Sequence, residues 1–249
     1  FFEGGLGTIG GLTLTTSSLS TTQKNYYYNL QYSSKDHISV TYGHIGGSGS
    51  DSVTNVKGET ETIYKQFANY LLNPINNNDG DSIEEGFQFT SGTLANDVYV
   101  LSFERAKMKD RVNRKNWTLQ LSGSNTTGTA ILREFTDDSE TTSATETVVG
   151  PRYNIVSGAL GVKSGSSGTY GWFYPNVGLM VFNATQGTNS LSSSITGTPG
   201  AIDSGSGYEG AGLGLAPELN NDSSTDNAWK ISKAVRLGSQ TFRNEEDQL

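Results

Sequence analysis

The chain has 249 residues and 31 glycines, and its 10% aromatic and 17% charged residues suit one or two all-β domains better than a disordered chain. Its net charge of −8 opposes binding to the phosphate backbone of nucleic acids, which requires many lysines and arginines. The absence of cysteine excludes disulfides and thiolate chemistry, and no apolar run is long enough for a membrane helix.

The first predicted elements follow an N-terminal arm, residues 1–22. Asn25–Tyr32 and His37–His44 alternate apolar and polar residues, and this period of two predicts a β-hairpin around a polar turn at 33–36. The glycine-rich run at 43–52 predicts a loop. It lacks the lysine and the following helix that a phosphate-binding loop requires.

The strongest helical pattern lies just after this loop. Ile63, Phe67 and Leu71 recur at every fourth position and predict an amphipathic helix over about 59–72. Pro74 marks its end, because the residue before a proline disfavours helical angles. Further β-like segments follow at Asp97–Phe103, Trp117–Leu121, Ala130–Phe135, Tyr153–Ser157 and Gly171–Phe182, the last interrupted at Tyr174-Pro175.

The later part of the chain changes composition. Residues 184–226 are almost wholly Gly, Ser, Thr, Asn and Ala, which predicts a long loop or an arm that orders against a neighbouring subunit. Apolar spacing returns in 227–249, where we expect a further β element. The predicted fold is therefore mainly β with one short helix, in sandwich- or barrel-like sheets, with a core domain at 23–183. Since Phe1 is not a methionine, we expect a longer polypeptide.

Candidate catalytic or metal-binding residues are few. His37 and His44 are seven residues apart, so one continuous strand would place them on opposite faces. No third histidine, HExxH motif or GxSxG motif accompanies them. Asn78, Asp79 and Asp81 could supply oxygen ligands to calcium, but the closing glutamate of a calcium loop is absent. An ordinary turn explains these residues better.

Acidic pairs leave a carbohydrate-related alternative open. Glu84 with Glu85, and Asp137 with Asp138, could serve a glycosidase as proton donor and nucleophile, with Glu140 as another candidate acid. Adjacent acids are more typical of a solvated loop. The aromatic content favours carbohydrate binding over cleavage.

A cluster of cations stands out in this acidic chain. Arg105, Lys107, Lys109 and Arg111 alternate along the sequence, so at strand spacing they would share one face. No aromatic residues interleave with them as a platform for nucleic-acid bases. We predict that this stripe contacts an acidic protein surface, including that of another copy of the chain.

The order and content of several segments resemble a known family. The segments are YYYNLQYSSKDHISVTYGHIGGSGS from Tyr26, DVYVLSFERAKMKDRV from Asp97 with NWTLQLSG from Asn116, GTYGWFYPNVGLMVFN from Gly168, and SQTFRNEE from Ser239. Across roughly residues 23–246, the chain resembles virion structural proteins from the tail and baseplate region of contractile-tailed phages of marine cyanobacteria.

This resemblance implies a non-enzymatic baseplate subunit without a cofactor, assembled in the host cytoplasm in multiple copies with other virion structural proteins. Neither nucleic acid nor a membrane is expected as a partner. Aromatic sheet faces would hold the subunit, at Tyr26–Tyr28, Trp117, Trp172, Phe173 and Tyr174, unless these residues form plain core. The alternative is a receptor- or carbohydrate-binding module of a tail fibre.

Overall fold

The computed structural model describes residues 8–9, 12–16, 26–32, 35–50, 58–72, 86–90, 93–108, 110–124, 130–165, 168–186, 189–191, 228, 231 and 235–240. Within these ranges the chain is mainly β, as predicted. No helix in these ranges has the length and apolar character required to cross a membrane.

The strands are numbered here in chain order. They are β1 (Thr8–Ile9), β2 (Leu12–Thr16), β3 (Tyr27–Tyr32), β4 (Lys35–His44), β5 (Asp97–Phe103), β6 (Trp117–Ser124), β7 (Ala130–Asp137), β8 (Thr145–Thr147), β9 (Gly150–Ala159), β10 (Val162–Lys163), β11 (Gly171–Tyr174), β12 (Leu179–Asn183) and β13 (Val235–Gln240). The helix α1 spans Glu59–Leu71. All five predicted β segments and the predicted helix are therefore present.

The strands form one antiparallel sheet that curls into a half-barrel. Its strand order is β1-β2-β3-β4-β5-β12-β11-β9-β7-β6-β13, and β8 and β10 pair with β9 outside this path. β3 and β4 form the predicted hairpin, with Tyr28 opposite Val40. The larger core fills one face of the sheet, and a smaller core lies on the other face.

The central strands bury both of their faces. Along β12, Met180 and Phe182 contribute to the larger core, whereas Leu179 and Val181 contribute to the smaller one. Because successive side chains of a strand point to opposite faces, a continuous apolar run suits a strand that is covered on both sides. Strand β11 is likewise covered on both sides. Phe173 lies in the larger core, and Trp172 and Tyr174 lie in the smaller one, so all three are core residues.

Helix α1 covers the smaller core. Tyr64, Ala68 and Leu71 are its buried apolar residues, while Ile63 and Phe67 are only half-buried, so the buried face is rotated from the predicted centre. The helix approaches β4 closely at Gly43, where an added Cβ would lie 2.9 Å from the backbone nitrogen of Tyr64. Glycine at this position therefore allows the helix to rest on the sheet.

The terminal segments take part in the same sheet and core. β2 pairs with β3, so the predicted N-terminal arm contains a sheet strand, and β13 pairs with β6. Ala184 and Leu191 lie in the larger core, which therefore extends past the predicted boundary at residue 183. Ala228 and Ile231 belong to the same core. Residues 192–226, most of the predicted arm, lie outside the described residues.

Candidate functional site

The cationic segment predicted as a contact stripe does not continue β5. Arg105–Lys107 form a single 3₁₀ turn, which the backbone N–H of Met108 closes by donating to the carbonyl of Arg105. The prediction of strand spacing is therefore wrong, because the chain turns away from the sheet after β5 ends at Phe103. Lys109 and the side chain of Lys107 lie outside the described residues.

This cationic loop, defined here as residues 104–116, is fastened to the turn between β11 and β12. Arg105 Nη1 donates to the carbonyl oxygens of Asp110 at 3.1 Å and Asn176 at 3.3 Å. The backbone N–H of Val112 donates to the carbonyl of Pro175 at 3.0 Å. Arg105 thus has a structural role, and Arg111 and Arg114 are further exposed cations of this loop.

The end of the cationic loop is tied to an acidic turn after β7. Lys115 has a left-handed backbone with φ 63°, and its N–H donates to Asp137 Oδ2 at 2.9 Å. Asp137 also accepts hydrogen bonds from the backbone and hydroxyl of Ser139. Lys115 Nζ pairs with Glu140 at 2.7 Å. Asp137 is therefore a buried scaffold for two turns.

Asp138 is buried as well. Its two carboxylate oxygens accept from the backbone N–H of Asn154 at 3.0 Å and from the Asn154 side chain at 2.8 Å. The predicted solvated loop is therefore wrong for Asp137 and Asp138, because both carboxylates satisfy donors of neighbouring segments. Glu84 and Glu85, and the candidate calcium residues at 78–81, lie outside the described residues.

Both histidines lie in β4. The prediction of opposite faces assumed a continuous strand, whereas the regular pairing with β5 covers Ile38 to His44 and the register of β4 against β3 shifts at His37. His44 Nδ1 accepts hydrogen bonds from the backbone of Gly46 at 3.0 Å and Ser48 at 3.3 Å, which shapes the following loop. Among the described residues, no three His, Asp or Glu side chains are grouped to hold a metal ion.

The rings of Trp117, Trp172, Phe173 and Tyr174 are enclosed. Trp172 packs against Phe89 at 4.8 Å between ring centroids, and the guanidinium of Arg152 lies 3.9 Å above the indole ring. Burial raises the pKa of Tyr174 to about 12, although the nearby Arg152 acts in the opposite direction. Trp117 is buried against Phe173. These rings stabilise the fold, and their faces are covered by protein.

One buried ionisable group was missed by sequence reasoning. Asp97, the first residue of β5, is fully buried and accepts hydrogen bonds from Thr185 Oγ1 at 2.5 Å and Tyr42 Oη at 3.3 Å. Burial raises the pKa of Asp97 to about 6, while these hydrogen bonds act to lower it. Burial and the adjacent Asp97 together raise the pKa of Tyr42 well above its ordinary value.

A sequence signal for Asp97 does exist. The residue shares its strand face with Tyr99 and Leu101, which both lie in the larger core. Strand alternation therefore points its side chain inward, although a carboxylate at the start of a strand is usually solvated.

Comparison with known proteins assigns no family to this chain. The chain matches no protein-family model, and neither curated proteins nor solved structures include a significant match.

Proposed function

We propose that the chain is a non-enzymatic structural subunit of a contractile-tailed phage particle, located in the tail baseplate and acting through contacts with other virion proteins. The resemblance of segments across residues 23–246 supports the phage assignment. The structural roles of Asp137 and Asp138 support the proposal that the subunit is non-enzymatic. A glycosidase reading requires carboxylates that face a substrate, whereas these two are buried and bonded to the backbone of neighbouring segments.

The cationic loop supplies the candidate assembly contact. The loop is fastened by the side chain of Arg105 and by the backbone of Val112, so its exposed cations, Arg111 among them, are presented from a fixed support. Such a contact would meet an acidic surface, and charge complementarity of this kind selects the partner and its register more than it adds affinity. In an acidic chain of net charge −8, a basic loop distinguishes one face from the rest.

The location is tested on the particle itself. An antibody raised against the purified chain should label the tail end of the virion of the phage that encodes it, as seen by electron microscopy. Label that is absent from the virion, or confined to the capsid, would contradict the proposal.

The contact is tested by charge reversal. We expect Arg111→Glu to bind more weakly than wild type to purified tail structures that lack this subunit. The difference in binding should diminish at high salt, because the contact is electrostatic. Arg133→Glu is the matched control, since Arg133 is an exposed arginine on β7, away from the loop. Equal binding by both variants would remove the cationic loop from the interface.

The carbohydrate-binding alternative receives less support from the aromatic residues. Sugar-binding sites commonly stack rings against the ligand, whereas Trp117 and Trp172 are buried and Arg152 covers the latter. Specific binding on a glycan array would nevertheless favour the fibre-tip alternative over assembly.

A further inference from the structure

The glycine-rich loop after β4 is closed by an imidazole. His44 Nδ1 accepts hydrogen bonds from the backbone N–H groups of Gly46 at 3.0 Å and Ser48 at 3.3 Å. A neutral imidazole has one nitrogen that accepts and one that donates, whereas both nitrogens of a protonated imidazole donate. The closed loop therefore requires the neutral tautomer of His44, with its proton on Nε2.

The same loop caps helix α1. Gly58, the N-cap residue, has no side chain with which to bond the first turn of the helix. The hydroxyl of Ser50 takes this role, because it accepts a hydrogen bond from the N–H of the buried Thr60 at 3.1 Å. The hydroxyl of Thr60 in turn donates to the carbonyl of Ser48 at 2.8 Å. Residues 44–50 and the first turn of α1 therefore form one hydrogen-bonded unit.

Several ionisable groups lie on the elements that pack against this end of β4. Within the described ranges they are Asp97 and Tyr99 on β5, Glu59, Glu61, Tyr64 and Lys65 on α1, and Tyr42 on β4 itself. Phenols are neutral over the range in which imidazoles titrate. Asp97 is directly opposite His44 in the register, and Glu61 pairs with Lys65 at 2.6 Å. The carboxylates attract a positive charge, whereas the two N–H donors directed at Nδ1 oppose one.

We propose that His44 is a pH-sensitive latch, in which the neutral imidazole keeps residues 44–50 closed and protonation of Nδ1 releases this loop together with the Ser50 cap of α1. The direction follows from the donors. Only the neutral ring accepts from Gly46 and Ser48, so closure is complete at high pH and is lost as the pH falls.

The size of the effect follows from linkage. An imidazole in the opened loop titrates as a model compound does, at about pH 6.5, so lowering the pH from about 7.5 to about 5 reduces the equilibrium constant for closure by up to about thirtyfold. This response is local, and it is opposite in direction to the effect of Asp97 on the whole fold, which is more stable when Asp97 is protonated. The inference does not depend on the proposed assembly role.

The test is amide hydrogen exchange, followed by NMR, on wild type and His44→Asn at about pH 5 and about pH 7.5. Rates are converted to protection factors, which removes the intrinsic pH dependence of exchange. His44→Asn is the matched control, because the asparagine Oδ1 is attached as Nδ1 is and accepts at both pH values. In wild type, the protection factors of Gly46 and Ser48 should fall by about ten- to thirtyfold at the lower pH. That of Thr60 should fall with them, since its acceptor on Ser50 is released. In His44→Asn all three should change by less than about threefold.

A second measurement concerns the ring itself. The nitrogen NMR shifts of the His44 imidazole should show the tautomer protonated on Nε2 at about pH 7.5, and a proton on Nδ1 there would overturn the latch. Equal protection factors at the two pH values in wild type, or an equal fall in wild type and His44→Asn, would overturn it as well. Unchanged protection of Thr60 beside a fall at Gly46 and Ser48 would overturn the link to the cap of α1.

Discussion

The buried carboxyl of Asp97 should make the stability of the fold depend on pH in an unusual direction. Its pKa in the folded chain is about 6, compared with an ordinary value of 3.8. Since one pKa unit corresponds to about 1.4 kcal/mol, ionising this carboxyl inside the fold costs about 3 kcal/mol. The side chain is fully buried, so solvent screening does not reduce this effect appreciably.

The sign follows from linkage between folding and protonation. The folded state has the higher pKa, so it binds the proton more tightly than the unfolded state does. The stabilising contribution is therefore fully present below pH 3.8 and is lost as the pH rises through about 6. Most buried or paired carboxylates act in the opposite direction, because hydrogen bonds or cations lower their pKa values.

The groups around Asp97 are hydroxyls. Tyr42 faces it from β4, Thr185 faces it from the segment after β12, and Tyr64 on α1 and Tyr99 on β5 lie close enough for electrostatic interactions within this cluster. Hydroxyl donors only partly offset the desolvation of a carboxylate. The cluster is thus compatible with a protonated Asp97 that itself donates a hydrogen bond.

The assay measures the free energy of unfolding of wild type and Asp97→Asn by chemical denaturation between about pH 3.5 and 7.5. Subtracting one free energy from the other removes the contributions of the other carboxylates, which both chains share. Asparagine keeps the shape and an acceptor oxygen without the charge. The free energy of unfolding of Asp97→Asn should gain about 3 kcal/mol relative to wild type across this range.

Thr185→Val is a second variant of the same site, which should shift the wild-type transition to higher pH by removing a donor that favours the charged form. A difference between wild type and Asp97→Asn that stays constant with pH would refute the reasoning. A difference that changes in the opposite direction would show that the carboxylate is stabilised in the fold.

Two further variants test how segments are joined. Gly43→Ala should lower the free energy of unfolding by about 1–3 kcal/mol, because its Cβ would collide with the backbone of Tyr64; urea denaturation that matches wild type would contradict this packing. Asp138→Ala should cost about 1–2 kcal/mol by leaving two donors of the half-buried Asn154 without their acceptor. The same assay at pH 7 measures it, and a loss below about 0.5 kcal/mol would show that water replaces the carboxylate.

Strong local periodicity explains what could be predicted from sequence. The bounds of β5 match the predicted Asp97–Phe103, and α1 ends one residue before its predicted end. In both segments the spacing of apolar residues matches the geometry of the element and the packing on it. The aromatic run after Gly171 was similarly predictable as a strand, because few other elements bury three consecutive large residues.

The errors arose where distant partners determine the structure. The alternating cations after β5 have the spacing of a strand face, yet the Arg105 side chain donates to Asn176, which is 71 residues away. Two adjacent acids such as Asp137 and Asp138 are typical of a solvated loop. Here they are buried, because Lys115 and Asn154 donate hydrogen bonds to their carboxylates. Hydrogen-bond partners at such separations leave no local pattern in the sequence.

The same reasoning links Asp97 to the predicted arm. Residues 184–226 have an arm-like composition, but the first of them are bonded to the core: the N–H of Ala184 donates to the carbonyl of Asp97, and Thr185 Oγ1 donates to its carboxylate. The side chain of Asn183 continues this attachment by donating to the carbonyl oxygens of Gln186 and Asn189. Asp97 therefore secures the root of this segment through its carbonyl and its carboxyl group. Ionisation of the carboxyl strengthens the hydrogen bond from Thr185 but lowers the stability of the whole fold, because the desolvation of the buried charge outweighs that bond.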